Sequence, residues 1–296
     1  MTGFLGEIGE KLADRWAALV AVPGLLYLAA VTVAVILGQA RALSYASLSR
    51  QVTAWAASSA LGSVGGAVLI IVAVLAGSLV AGLVAAAGGR FVETLWTLPG
   101  RRLPARWLAW WRRDRSRRQK AIADSASASP AQVRKAMARA DRICLVEAGS
   151  PTWIGDRLRA CRVRIGTAYG LDLDAAWPRL WLIVPDTVRI ELGAARDAFS
   201  SAARLTAWAV LYLVLAIWWW PALPVAVVIG ATAVGRGRLA AGNLADLIEA
   251  TMDLYSGALA AQLGEQASGP VAPALGARLT ARMRKDRWDP GSPLAD

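Results

Sequence analysis

The chain has 296 residues, 56% of them hydrophobic and 18% charged, with 14 tryptophans, no histidine and a formal net charge of +12. That balance excludes an ordinary soluble domain, and the missing histidine removes most general acid–base and metal-ligand arrangements. The positive charge does not by itself indicate nucleic acid, because inner loops of membrane proteins carry the same excess of Lys and Arg to set orientation.

In chain order, residues 1–15 form a short polar lead whose Glu7, Glu10 and Asp14 do not suit the basic start of a secretory signal. An uncharged segment from Trp16 to Ala40 follows. It is long enough to cross the hydrocarbon layer, which takes about 20 helical residues, and Pro23 is expected to kink it near its entry side. No charge occurs between Arg50 and Arg90 either, and the apolar run from about Leu61 to Ala87 predicts a second span. Gly62 and Gly66 form a GxxxG pair, and Ser78 and Gly82 repeat the spacing. Small residues so placed let helix backbones approach closely, and the expected use is packing within the chain rather than a dimer face.

From Arg90 to Lys120 the character reverses: ten Lys or Arg stand against Glu93 and Asp114, a net of 10 − 2 = +8. By the positive-inside rule this side is cytoplasmic. Trp107, Trp110 and Trp111 interleave there with Arg112, Arg113, Arg115, Arg117, Arg118 and Lys120. Indoles rest at headgroup level, and each nearby cation gains about 1 kcal/mol against anionic lipid, so the expected partner is the inner leaflet and not nucleic acid. A Ser/Ala linker at 125–129 then leads to a helix predicted over Pro130–Val146, and start and stop signals at Ser150-Pro151 and Gly170 predict another over Pro151–Ala168. The apolar piece Ala175–Val184 contains Pro178, reads as a broken helix, and is too short to span.

Asp186 is placed to cap a helix that enters the uncharged segment Leu205–Gly235. One long tilted span and a hairpin turning at Trp218–Pro224 compete for that segment. The hairpin is preferred, since Arg196 and Arg204 before it and Arg236 and Arg238 after it call for the same face. A helix over residues 239–264 and a polar, flexible tail over 265–296 complete the chain. The expected fold is therefore all-α and polytopic: a lead at 1–15, a first helix pair at 16–89, a basic helical cytoplasmic domain at 90–203 and a transmembrane hairpin at 204–238. Both termini are expected inside a bacterial cell membrane.

Three features compete as sites. The Trp- and Arg-rich segment is the first. The second is an acidic stripe of Asp246, Glu249 and Asp253, with Asn243 on the same helix face. One face offers too few oxygens for a hard cation, so pairing with central arginines is the expected role; no metal and no cofactor are expected. Cys144 and Cys161 are read as packing residues in a reducing compartment.

The third feature is the run Pro151-Thr-Trp-Ile-Gly-Asp-Arg-Leu-Arg159, then Tyr169-Gly-Leu-Asp172, then Trp177-Pro-Arg-Leu-Trp181. Through it, and through Arg15-Trp16 with Pro23-Gly-Leu-Leu26, the chain resembles a group of uncharacterised, chiefly actinobacterial integral membrane proteins. The resemblance implies no activity and carries over no catalytic residue. Physically, the run places Arg157, Arg159, Arg162 and Arg164 on one helix, with Asp172 and Asp174 positioned to cap the next helix or pair with them, and the Trp-Pro-Arg-Leu-Trp piece reads as interfacial. The leading functional reading is a non-enzymatic membrane module that presents its basic domain to a protein partner or to anionic lipid, as a regulatory or scaffold subunit. An oligomeric pore or transport component is the alternative, and a membrane enzyme acting on lipid or phosphate substrates comes third.

Overall fold

The computed structural model describes residues 22–56, 64–98, 150–265 and 271–285, together with positions 110, 111, 114, 115, 118, 121 and 269. The described residues are helical and contain no strand. In chain order the helices are α1 (Val22–Leu37), α2 (Tyr45–Ala56), α3 (Val64–Thr97), α4 (Trp153–Tyr169), α5 (Leu173–Ile183), α6 (Asp186–Leu215), α7 (Ala222–Gln262) and α8 (Pro273–Arg284). Three of them, α3, α6 and α7, are long and apolar enough to cross a membrane. The chain divides into two compact units, residues 1–93 with 200–235 and residues 94–199 with 236–296.

The first unit is apolar and packs through small residues. Glycine and β-branched residues are poor helix formers in water, but in hydrocarbon the backbone must bond to itself, and helix follows. On α3, Ser78, Ala81, Gly82 and Ala85 are buried. Neighbours approach these small positions closely: Gly24 of α1 lies against the Ser78 carbonyl, Gly77 against Leu28, and Gly88 against Ala207. Other α3 side chains, among them Leu69, Ile71, Val72, Leu75 and Val80, are more than half exposed. Each such side chain left in water forgoes roughly 1.5–3 kcal/mol, so a face of this kind is stable only against lipid or another apolar surface. Tyr27 forms the centre of the packing, edge-on to Tyr212 with ring centroids 5.3 Å apart and tilted on Trp208 at 5.8 Å. Its hydroxyl donates to the Leu211 carbonyl at 3.3 Å.

Between α6 and α7 the chain turns at residues 216–221. Gln39 closes this turn: its amide donates to the carbonyls of Ala216 (3.2 Å) and Ile217 (2.6 Å) and its oxygen accepts from the Trp220 N–H (3.3 Å). The Trp219 indole donates to the Ala42 carbonyl at 3.0 Å. Backbone groups freed by the break thus find partners inside the protein.

The second unit is a small helical bundle with its own core. Thr152 caps α4, its hydroxyl accepting from the Gly155 N–H (3.0 Å) and donating to the Trp96 carbonyl (2.7 Å). Gly170 ends that helix at φ 65°, a left-handed conformation in which a side chain is strained, and the Pro273 carbonyl occupies the space a Cβ would need. Asp172 caps α5, accepting from the Asp174 N–H at 3.1 Å. Ile165, Leu171, Leu180, Met252, Leu259 and Leu279 form the core.

Several expectations need correction. The helix that carries the expected second span continues past residue 89, since α3 runs on to Thr97. The hairpin's second leg and the helix expected at 239–264 are one continuous helix, α7, which has no proline after Pro224 and takes Gly235, Gly237 and Gly242 without a break. Helix α5 continues through Pro178, with the Arg179 guanidinium bonding the Ala175 carbonyl one turn back at 2.7 Å. Residues 265–296 are not a flexible tail throughout: α8 buries Leu279 and Met283, with Leu275 against the same core, an i, i+4, i+8 stripe hidden in a polar composition. Residues 236–296 belong to the same compact unit as residues 94–199. Helix α2 was not anticipated. The helix expected over Pro130–Val146, the polar lead and Cys144 lie outside the described residues.

Candidate functional site: an arginine–carboxylate seam

Helices α4 and α7 meet along a seam within the second unit. Cys161, buried in the middle of α4, points its thiol at the Ala245 carbonyl (3.7 Å). On either side of it polar pairs climb both helices in the same sense, so the two run parallel. Arg157 bonds Asp246 and also reaches Glu249 at 3.5 Å. Arg164 holds Glu249 through Nε at 3.1 and 3.2 Å and through a second nitrogen. One turn further on, the Tyr169 hydroxyl donates to Asp253 at 2.6 Å.

Burial orders these contacts by consequence. The Arg157 side chain is only 10% exposed while Asp246 is 68% exposed and Glu249 24%. A guanidinium withdrawn that far from water needs its carboxylates, whereas the Arg162–Asp174 pair at 3.5 Å, with side chains 59% and 71% exposed, contributes little. Electrostatics follow the geometry. Bonding to Glu249 raises the Arg164 pKa above its ordinary value. Burial first, and then the Glu249 charge and hydrogen bond, push the Cys161 thiol up to about 12, so it is a neutral packing group at physiological pH. The hydrogen bond to Asp253 does the same for the Tyr169 hydroxyl, also to about 12.

The acidic stripe foreseen from sequence is therefore split between partners: Asp246 and Glu249 face arginines, Asp253 faces a phenol. A second ionic contact ties α8 to the start of α5, Arg284 binding Asp172 at 2.9 and 2.5 Å. Of the Trp- and Arg-rich segment, Trp110 and Trp111 are exposed, Arg115 lies over the Trp111 ring at 5.4 Å, and Asp114 pairs with Arg118 at 2.7 Å. Trp107, Arg112, Arg113, Arg117 and Lys120 lie outside the described residues, as does Gly62; Gly66 is half-buried near the start of α3. Trp177, read as interfacial, packs against the bundle core, while its neighbour Trp181, 6.1 Å away, is at the surface.

Comparison of the chain with protein-family models, with curated proteins and with solved structures finds no match. Function therefore rests on the chain's own residues. Tyr169 and Gln39 were missed as partners; each is a single polar side chain whose acceptor lies far away in sequence, and no local pattern marks it.

Proposed function

We propose that the protein is a four-span membrane module with both termini in the cytoplasm, presenting a basic helical domain to anionic lipid or to a protein partner as a regulatory or scaffold subunit. We also propose kinship with the actinobacterial membrane proteins that its motifs resemble. The observation that carries the functional reading is where the charge is spent. The carboxylates that offered the best chemistry, Asp246, Glu249 and Asp253, are engaged within the bundle. The segment from Arg90 to Lys120 keeps ten cations against two acids, with Trp110 and Trp111 exposed beside them. Positive charge with indole at its edge suits an anionic interface. The pore alternative gains no support, since the small face of α3 is covered by α1 and α6 within one chain.

In this reading α1, α3 and the two apolar legs of the hairpin cross the bilayer. The legs are short: Leu205–Leu215 and Ala222–Gly235 extend about 16 and 20 Å at 1.5 Å per residue, against about 30 Å of hydrocarbon. Arg204, Arg236 and Arg238 then snorkel to the headgroups, or the bilayer thins locally.

The test uses the full chain in nanodiscs. Hydrogen exchange over residues 101–120 is expected to slow in anionic relative to zwitterionic lipid, and that difference to vanish when Arg112, Arg113, Arg115, Arg117, Arg118 and Lys120 are all glutamine. Equal exchange in both lipids removes the lipid branch of the proposal, and reporters at Ser125 and the C-terminus that signal periplasm remove the topology.

A further inference from the structure

The turn between α1 and α2 carries one cation, Arg41, with no carboxylate paired to it among the described residues. No acidic residue occurs in the sequence between Asp14 and Glu93, whereas Arg15, Arg41, Arg50 and Arg90 fall in that interval, and residues 200–235 add Arg204 and no carboxylate. Arg41 is exposed. It is the one charged residue lining a pocket of about 350 Å³ beside Ser44 and Trp220. Gln39, which also lines it, is committed to the 216–221 turn through both ends of its amide.

This pocket adjoins an apolar one in the chain as well as in the unit. A groove of about 480 Å³ runs between α1 and the end of α6, lined by Val31, Val35, Val214 and Trp218 and floored by Ala34, which is 2% exposed. Gly38, at the end of the groove, immediately precedes Gln39 in the Arg41 pocket, and Trp218 is two residues from Trp220. The lining side chains carry two polar groups, the Trp218 indole N–H and the Tyr27 hydroxyl, and the latter is already bonded to the Leu211 carbonyl. An apolar groove followed along the chain by a pocket with one cation matches an amphiphile with one apolar chain in the groove and an anion outside it. Leu43, Trp218 and Trp220, all exposed at that end, are the residue types that settle at the headgroup boundary.

We propose that this groove and turn bind one phospholipid with an anionic headgroup, an acyl chain lying along Val31, Val35 and Val214 and the phosphate meeting the Arg41 guanidinium. The orientation rule does not account for this arginine: Arg41 lies at the end of α1, beside the hairpin tip, whereas Arg90 and Arg204 lie at the opposite ends of their apolar runs. A guanidinium presents a planar fork that matches phosphate oxygens, and no carboxylate among the described residues pairs with Arg41, so headgroup charge can meet it.

Full-length protein carrying glutamine at Arg112, Arg113, Arg115, Arg117, Arg118 and Lys120, so that this segment contributes no charge, is titrated with dioleoyl phosphatidylglycerol or dioleoyl phosphatidylcholine. Bound lipid is counted by native mass spectrometry, and melting is followed in parallel. Phosphatidylglycerol is expected to bind roughly fivefold more tightly, the gain from one cation beside an anionic headgroup. Arg41→Gln should remove that preference while leaving the fold intact, and Val35→Phe, at an exposed groove wall, should weaken both lipids. Equal affinity for the two lipids in the parent, or an undiminished preference in Arg41→Gln, overturns the site. Glycerol phosphate matching the stabilisation given by the intact lipid would overturn the acyl-chain half of it.

Discussion

Glu249 is the most informative residue to change, because two arginines of different burial depend on it. Glu249→Gln keeps the volume and removes the charge. Arg157, 10% exposed, then retains only Asp246, which is itself 68% exposed, and Arg164, 44% exposed, loses its bidentate contact. Removing one partner of a fully buried pair costs about 3–5 kcal/mol, and an exposed pair is worth about 0–1 kcal/mol. With Glu249 24% exposed and one contact to Arg157 surviving, a loss of about 2–3 kcal/mol follows. For a unit of this size that lowers Tm by roughly 4–12 °C. Differential scanning fluorimetry in detergent, with and without micromolar Mg²⁺, Mn²⁺ or Ca²⁺, reads the shift, and the loss should be the same with metal and without it. Asp174→Asn, which breaks the exposed pair with Arg162, should stay within about 0.5 kcal/mol. The double substitution Arg157→Met with Glu249→Met should cost less than the sum of its parts, since no unpaired guanidinium remains in the seam. The structural reading of the seam fails if Glu249→Gln melts with the parent, or if the parent Tm climbs with micromolar metal while the variant ignores it.

Other outcomes follow from the same geometry. Tyr169 and Cys161 both have pKa values raised to about 12, from ordinary values of 10.0 and 9.0. The fold favours their neutral forms, so their stabilisation is complete below pH 9 and is lost as pH rises from there toward 12. Denaturation midpoints should drop over that window, and the drop should shrink in Tyr169→Phe. With Cys144 replaced by serine, Cys161 should resist iodoacetamide at pH 8 in folded protein and react on unfolding. Gly276→Ala drives a methyl into the Tyr169 carbonyl and should cost about 1–3 kcal/mol, seen as faster proteolysis between residues 264 and 272. Truncation at residue 272 bares the core that Leu279 and Met283 cover and should yield aggregated protein by size exclusion, where a genuinely free tail would leave the elution unchanged.

What the residues determined without tertiary help is everything governed by local chemistry. The uncharged apolar run from Val64 to Gly89 favours a helix in lipid whatever surrounds it, because the backbone has no other partner within its own segment there. Thr152, Gly170 and Asp172 mark their helix ends through bonds that reach only a few residues along the chain. Tertiary structure decided which arginine meets which carboxylate, since Arg157, Arg159, Arg162 and Arg164 are equivalent cations until α7 packs beside one face of α4 and withdraws Arg157 from water. It also made a core element of α8. Three apolar residues among arginines are too few to bury themselves, and they became a helix face only where Tyr169, Gly170 and Leu171 offered a surface close enough to touch a glycine at position 276. Local pattern says which groups can pair; only the fold supplies the distance and the loss of water that make one pairing outweigh the rest.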